Sequence, residues 1–241
     1  MALDAEAQKK LQVVLLLGIL IAGTRAAYIV YERQEAMKED AAPKGHLVLK
    51  ADSYVTPRKL RPYDLKSARQ LTAQPVWVKV GYYHTYYPYY AAARKTDFAH
   101  EAGTLGPLQK LEIKDVVTGA APKVPGTKQV MATFESDGKG YAVPIGAEKD
   151  GEFKIYSDDI FFVEDPRQLY NYWPADVWKA IEEHRVQNGM SELQASFAVG
   201  LGTSEGSGGD YGSRTLHYAN GGKAVTVTFE NDKAVTIAAD R

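Results

Sequence analysis

The spacing of hydrophobic and polar positions changes three times along the 241-residue chain. Residues 11–31 read LQVVLLLGILIAGTRAAYIVY, and the run over 13–23 is apolar without a break. From Val76 the period becomes two. Val76, Val78 and Val80 alternate with Trp77, Lys79 and Gly81, the pattern of a half-buried strand. Further strands are predicted at 111–117, 129–134, 140–145, 153–156 and 160–163. Asp137-Gly138 and Asp150-Gly151 stand between them as hairpin turns. Five or six short strands within ~90 residues predict a small barrel or sandwich. Beyond Trp173 a helical period appears. Val177, Trp178 and Ile181 form one stripe, Pro174 fits the first turn, and Gly189 is the expected stop. Ser191 and Gln194 have the spacing of a capping box for a second helix, with Leu193, Ser196 and Phe197 on its inner face and Gly200 at its end. Alternation then predicts three strands at 215–219, 224–230 and 234–239, one face of which the helices cover.

Residues 11–31 would make ~31 Å of helix at ~1.5 Å per residue, enough to span a bilayer. Arg25 lies six residues before Tyr31, close enough for its head to snorkel to an interface that Tyr28 and Tyr31 would also occupy. This reading is an uncleaved anchor with lipid around residues 11–31. A cleaved signal peptide and a buried core helix are the competing readings, and Thr24-Arg25-Ala26 is a poor cleavage site. Flanking charges nearly tie. A short tail over 1–10 favours a cytoplasmic amino terminus, so the expected placement is a single-pass protein of a bacterial inner membrane with periplasmic carboxyl-terminal domains. Residues 32–67 are read as a stalk or linker, because 32–44 are charged and end near Ala41-Ala42-Pro43.

In the middle region PVWVKVG is followed by an aromatic loop, a strand ending Lys114-Asp115-Val116-Val117, a meander and Asp158-Asp159-Ile160-Phe161-Phe162. This order resembles a bacterial SH3-like barrel, which sets an all-β domain over 68–168. The loop carries six tyrosines in nine residues: Tyr82, Tyr83, Tyr86, Tyr87, Tyr89 and Tyr90. Tyrosine joins apolar area to a hydroxyl at small entropic cost, so these six are the candidate protein-interaction residues. The competing reading packs half of them into the barrel.

Asn188-Gly189-Met190-Ser191-Glu192-Leu193-Gln194, a glycine loop, Tyr218-Ala219-Asn220-Gly221-Gly222 and the strand pair from Val225 to Val235 resemble the SmpA/OmlA group of envelope domains. The resemblance covers 175–239. It implies an α+β domain over 173–241, two helices on a three-stranded antiparallel sheet, acting as a non-enzymatic adaptor between proteins. The expected fold is therefore one transmembrane helix, an SH3-like barrel and this α+β domain.

Composition narrows the chemistry. With 29 Lys+Arg against 30 Asp+Glu, the chain lacks the basic field of a nucleic-acid binder. Zero cysteines exclude disulfides, thiolate metal sites, a cysteine nucleophile and a lipid-carrying cysteine. His46, His84, His100, His184 and His217 show no paired ligand spacing. Asp158-Asp159 and Glu164-Asp165 suit turns and caps. Gly202-Thr203-Ser204-Glu205-Gly206 matches a nucleophile-elbow pattern but follows a predicted helix, whereas the elbow needs a strand before its serine. No catalytic, cofactor or metal residues are assigned. The expected function is an adaptor subunit bound to an envelope or membrane protein. The alternative is a cell-wall enzyme or small-molecule binder using a cleft between the two domains.

Overall fold

The computed structural model describes residues 23–33, 51–122, 124–204 and 210–239. The chain divides into two units, Met1–Tyr54 and Val55–Arg241. In the first, residues 23–33 form helix α1. Among the described residues, no helix is long and apolar enough to cross a membrane. This corrects the expected anchor. Residues 11–22 lie outside the described residues, and the described part of α1 covers 23–33. Its eleven residues include Arg25, Glu32 and Arg33 beside Tyr28 and Tyr31, and all are exposed. The membrane-anchor reading, the inner-membrane placement with a periplasmic carboxyl-terminal part, and the interfacial roles of Arg25, Tyr28 and Tyr31 lose their basis with it.

The second unit begins with residues the sequence placed in a linker. Val55 and Leu60 pack on its cores, and the Asp158 carboxylate accepts the N–H groups of Leu60 (3.0 Å) and Arg61 (2.7 Å). Asp64 caps the short helix α2 (Leu65–Ala68). Instead of one closed barrel there are two sheets. The larger holds β2 (Thr85–Tyr90), β3 (Lys95–Thr96), β4 (Gly103–Thr104), β6 (Ile113–Ala120), β7 (Thr127–Ser136), β8 (Lys139–Lys149) and β9 (Glu152–Ile155). Its order is β3-β2-β8-β7-β6, with β4 on β2 and β9 on β8, and it curls into a half-barrel. Both Asp-Gly turns form as expected. Asp137 and Gly138 have φ of 50° and 72°, Asp150 and Gly151 53° and 85°, as primed turns demand. The tyrosine run is largely strand rather than loop, in keeping with tyrosine's preference for the pleated surface. Gly140 lets β2 and β8 approach, since a Cβ there would lie 2.7 Å from the Tyr89 carbonyl oxygen.

The smaller sheet is β1 (Val76–Val78) between β10 (Phe161–Phe162) and β5 (Lys110–Leu111). Period-two geometry makes it a wall with a core on each side. Val76, Val78, Leu111 and Phe161 enter the half-barrel core, while Trp77 and Phe162 enter the carboxyl-terminal core.

That second core joins two helices to a sheet. After α3 (Ser157–Ile160) and α4 (Pro166–Leu169), α5 (Ala175–Glu182) buries Val177, Trp178, Ala180 and Ile181. Helix α6 (Glu192–Val199) buries Ala195, Phe197, Ala198 and Val199. The capping box is present: the Ser191 hydroxyl accepts the Gln194 N–H at 3.2 Å, and the Gln194 side chain accepts the Ser191 N–H at 2.9 Å. The sheet differs from the expected three strands. A fourth, β11 (Gly202–Ser204), joins β12 (Thr215–Tyr218), β13 (Val225–Glu230) and β14 (Lys233–Ala239), in that order. The first residues of the glycine segment thus find backbone partners on β12.

One buried ion pair ties this region together. Glu192 is 4% exposed. Its carboxylate accepts the Gly212 N–H at 2.6 Å and is held by Arg214 through Nε (3.1 Å) and Nη2 (2.7 Å). Asp232, also buried, accepts the Glu192 N–H at 3.0 Å. Burial, with the Glu192 charge second, pushes the Tyr218 phenol well above its ordinary range.

Candidate functional site

The six candidate tyrosines separate. Tyr82 has φ of 60° and turns its ring toward Gly200, Gly221 and His184, whose ring centroid is 6.5 Å away. Tyr86 packs edge-on against Phe134 (5.5 Å) and Tyr141 (5.1 Å) at the half-barrel core. Tyr87 and Tyr89 lie on the opposite face of β2, against Val117, Met131 and Ala142. Tyr83 is 66% exposed and Tyr90 55% exposed, at different ends of the run. The sequence thus concentrates these rings, and the pleat distributes them.

The other candidate groups are placed individually. His46 lies outside the described residues. Burial lowers the pKa of His84. His100 Nδ1 meets Asp97 at 3.0 Å, and His217 Nδ1 meets the Thr226 hydroxyl at 2.6 Å. Asp165 caps α4 through the Arg167 N–H at 2.9 Å. The Glu164 carboxylate accepts the Arg58 N–H at 2.8 Å. Ser204 ends the exposed strand β11, with residues 205–209 outside the described set. Among the described residues, no group of three or more His, Asp or Glu side chains is placed to hold a metal ion.

A groove of about 280 Å³ opens where the three-stranded wall meets α5. Register builds one side of it. Phe162, Trp77 and Lys110 are cross-strand partners, so they form a row across the sheet face. Phe162 is covered by Phe197 (ring centroids 5.7 Å apart), Trp77 is half-buried, and Lys110 is exposed. Pro107 and Leu108 continue this side. Trp178 and Ile181 of α5 form the other, backed by Trp173, whose ring lies 5.3 Å from that of Trp178. Each groove tryptophan carries a cation of the chain: Lys110 Nζ is 5.8 Å from the Trp77 ring and the Arg167 guanidinium 5.5 Å from the Trp178 ring.

The charged lining differs in commitment. Asp165 is occupied as a cap, and Arg167 pairs with Glu182. Lys110 has no carboxylate within ion-pair distance among the described residues. His184 closes the groove at the end of α5, where the helix stops earlier than the expected Gly189. The His184 N–H bonds to the Ile181 carbonyl (3.1 Å) and the Arg185 N–H to that of Ala180 (3.1 Å), a Schellman pattern with His184 at the left-handed position, φ 51°. His184 Nδ1 lies 3.2 Å from the Ala198 carbonyl oxygen, which can only accept. That nitrogen therefore carries the proton, and Nε2 of the neutral ring is an acceptor.

Sequence reasoning missed this groove. The periodicity places Trp178 on the buried stripe of its helix and Trp77 in the outward phase of a strand, and His184 shows no paired ligand spacing. The available signal was Trp77 itself: so large an apolar ring in the polar phase of β1 requires cover. Comparisons of the chain with protein-family models, curated proteins and solved structures return no match.

Proposed function

We propose that this chain is a non-catalytic adaptor that binds a segment of a partner protein in the groove between Trp77 and Trp178. The observation that carries the reading is the half-buried Trp77 ring at an open junction, with the edge of the core residue Trp178 lining the groove opposite it, since aromatic anchors dominate protein-binding energetics. The groove carboxylates support the same reading, because Asp165 is consumed as a cap and Glu182 as an ion-pair partner.

Photo-crosslinking tests the proposal. A benzophenone side chain in place of Glu182, an exposed groove-lining position that leaves Lys110 intact, should yield one defined protein adduct in cells, and the same group at Lys139, on the β7–β8 hairpin, should not. Adducts of equal yield at both positions, or none at 182, would overturn it.

A further inference from the structure

Resting on that reading, we infer that the groove selects an acidic–aromatic segment: a carboxylate for Lys110, followed by a tyrosine or tryptophan laid against Trp77. Three observations converge. Among the described residues, Lys110 is the groove cation with no carboxylate within ion-pair distance, and it sits at the solvent end of the Phe162–Trp77–Lys110 row. A carboxylate arriving there is paired without displacing any ion pair of the chain, and the pair forms beside an apolar surface. A cationic ligand meets the reverse situation, because Lys110 and Arg167 already lie over the tryptophan rings and repel it.

The ligand's second group follows from His184. With Nδ1 held by the Ala198 carbonyl, Nε2 is left to accept a hydrogen bond. Among apolar anchors, tyrosine and tryptophan bring an O–H or N–H donor with their rings, whereas leucine and phenylalanine do not. Trp77, Leu108 and Ile181 supply apolar lining to the same groove as Lys110 and His184. An acid together with a ring that brings a donor therefore matches the cation, the apolar lining and the acceptor of the groove.

Two variants test this without threatening the fold. Lys110→Glu changes an exposed side chain. His184→Gly removes the acceptor and places at φ 51° the residue that tolerates it best. Phage-displayed random twelve-residue peptides are selected on the full chain, and enriched sequences are remade with fluorescein for anisotropy. The expected result is a consensus of Asp or Glu next to Trp or Tyr, with affinity falling about tenfold or more in each variant. Affinity should also weaken with added salt. A consensus of basic or purely aliphatic peptides that is still weakened by either variant would overturn the acidic–aromatic inference and leave the groove as a protein-binding site. Peptides indifferent to both variants, or no enrichment, would overturn the groove reading and this inference with it.

Discussion

Removing the Arg214 side chain isolates the cost of the buried pair. Glu192 is 4% exposed and relies on Arg214 for three of the four hydrogen bonds to its carboxylate, the fourth coming from the Gly212 N–H. In Arg214→Ala the carboxylate stays buried with one donor, and breaking a buried pair from one side costs about 3–5 kcal/mol. Glu192→Gln should cost less, about 1–3 kcal/mol, because Arg214 is 29% exposed and can turn to water. Replacing both by leucine leaves no stranded charge and should recover much of the loss. Urea unfolding with a common m-value reads all three. The expected order is Arg214→Ala worst, Glu192→Gln intermediate, and the double leucine variant better than Arg214→Ala. An Arg214→Ala penalty under about 1 kcal/mol, typical of a surface pair, would refute the argument that this pair anchors the segment around Gly212.

Acidification should destabilise the protein through His84. Burial lowers its pKa in the folded state below the ordinary 6.5, so the unfolded chain binds more protons as pH falls past that value. Stability should therefore decline below about pH 6.5, and His84→Gln should flatten that part of the pH–stability curve. Tyr86→Ala should cost roughly 2–4 kcal/mol, for a ring packed on Phe134 and Tyr141. Tyr83→Ala, at an exposed ring, should stay within about 0.5 kcal/mol by thermal melting. Gly200→Ala should cost several kcal/mol, since φ is +88° and the new Cβ would lie 2.5 Å from the Gly81 carbonyl oxygen.

Local chemistry was the legible part of the sequence. Asp137-Gly138, Asp150-Gly151 and the Ser191/Gln194 box each carry their conformation within a few residues, and each forms. Features that depend on distant partners were hidden. Glu192 and Arg214 are 22 positions apart, and nothing in either neighbourhood announces a buried pair. The strand at Gly202–Ser204 exists because β12 offers it an edge, against the weak strand preference of its glycine. Helix α5 stops at His184 instead of Gly189 because local hydrogen bonds to Ala180 and Ile181 close it first. The groove was hidden for the same reason. Trp77 and Trp178 lie about a hundred residues apart, and they meet only because β1 is a wall shared by two cores.

The chain's three tryptophans allow the central claim to be read directly. Trp77 and Trp178 line the groove, while Trp173 is buried behind Trp178 and does not. In a 15N-labelled sample each contributes one indole N–H signal, assignable by single Trp→Phe variants. On titration with the peptide selected above, the Trp77 and Trp178 signals should shift together and saturate at one affinity, with Trp173 moving least. Saturating binding that leaves both the Trp77 and the Trp178 signals in place would put the partner elsewhere on the molecule and contradict the account.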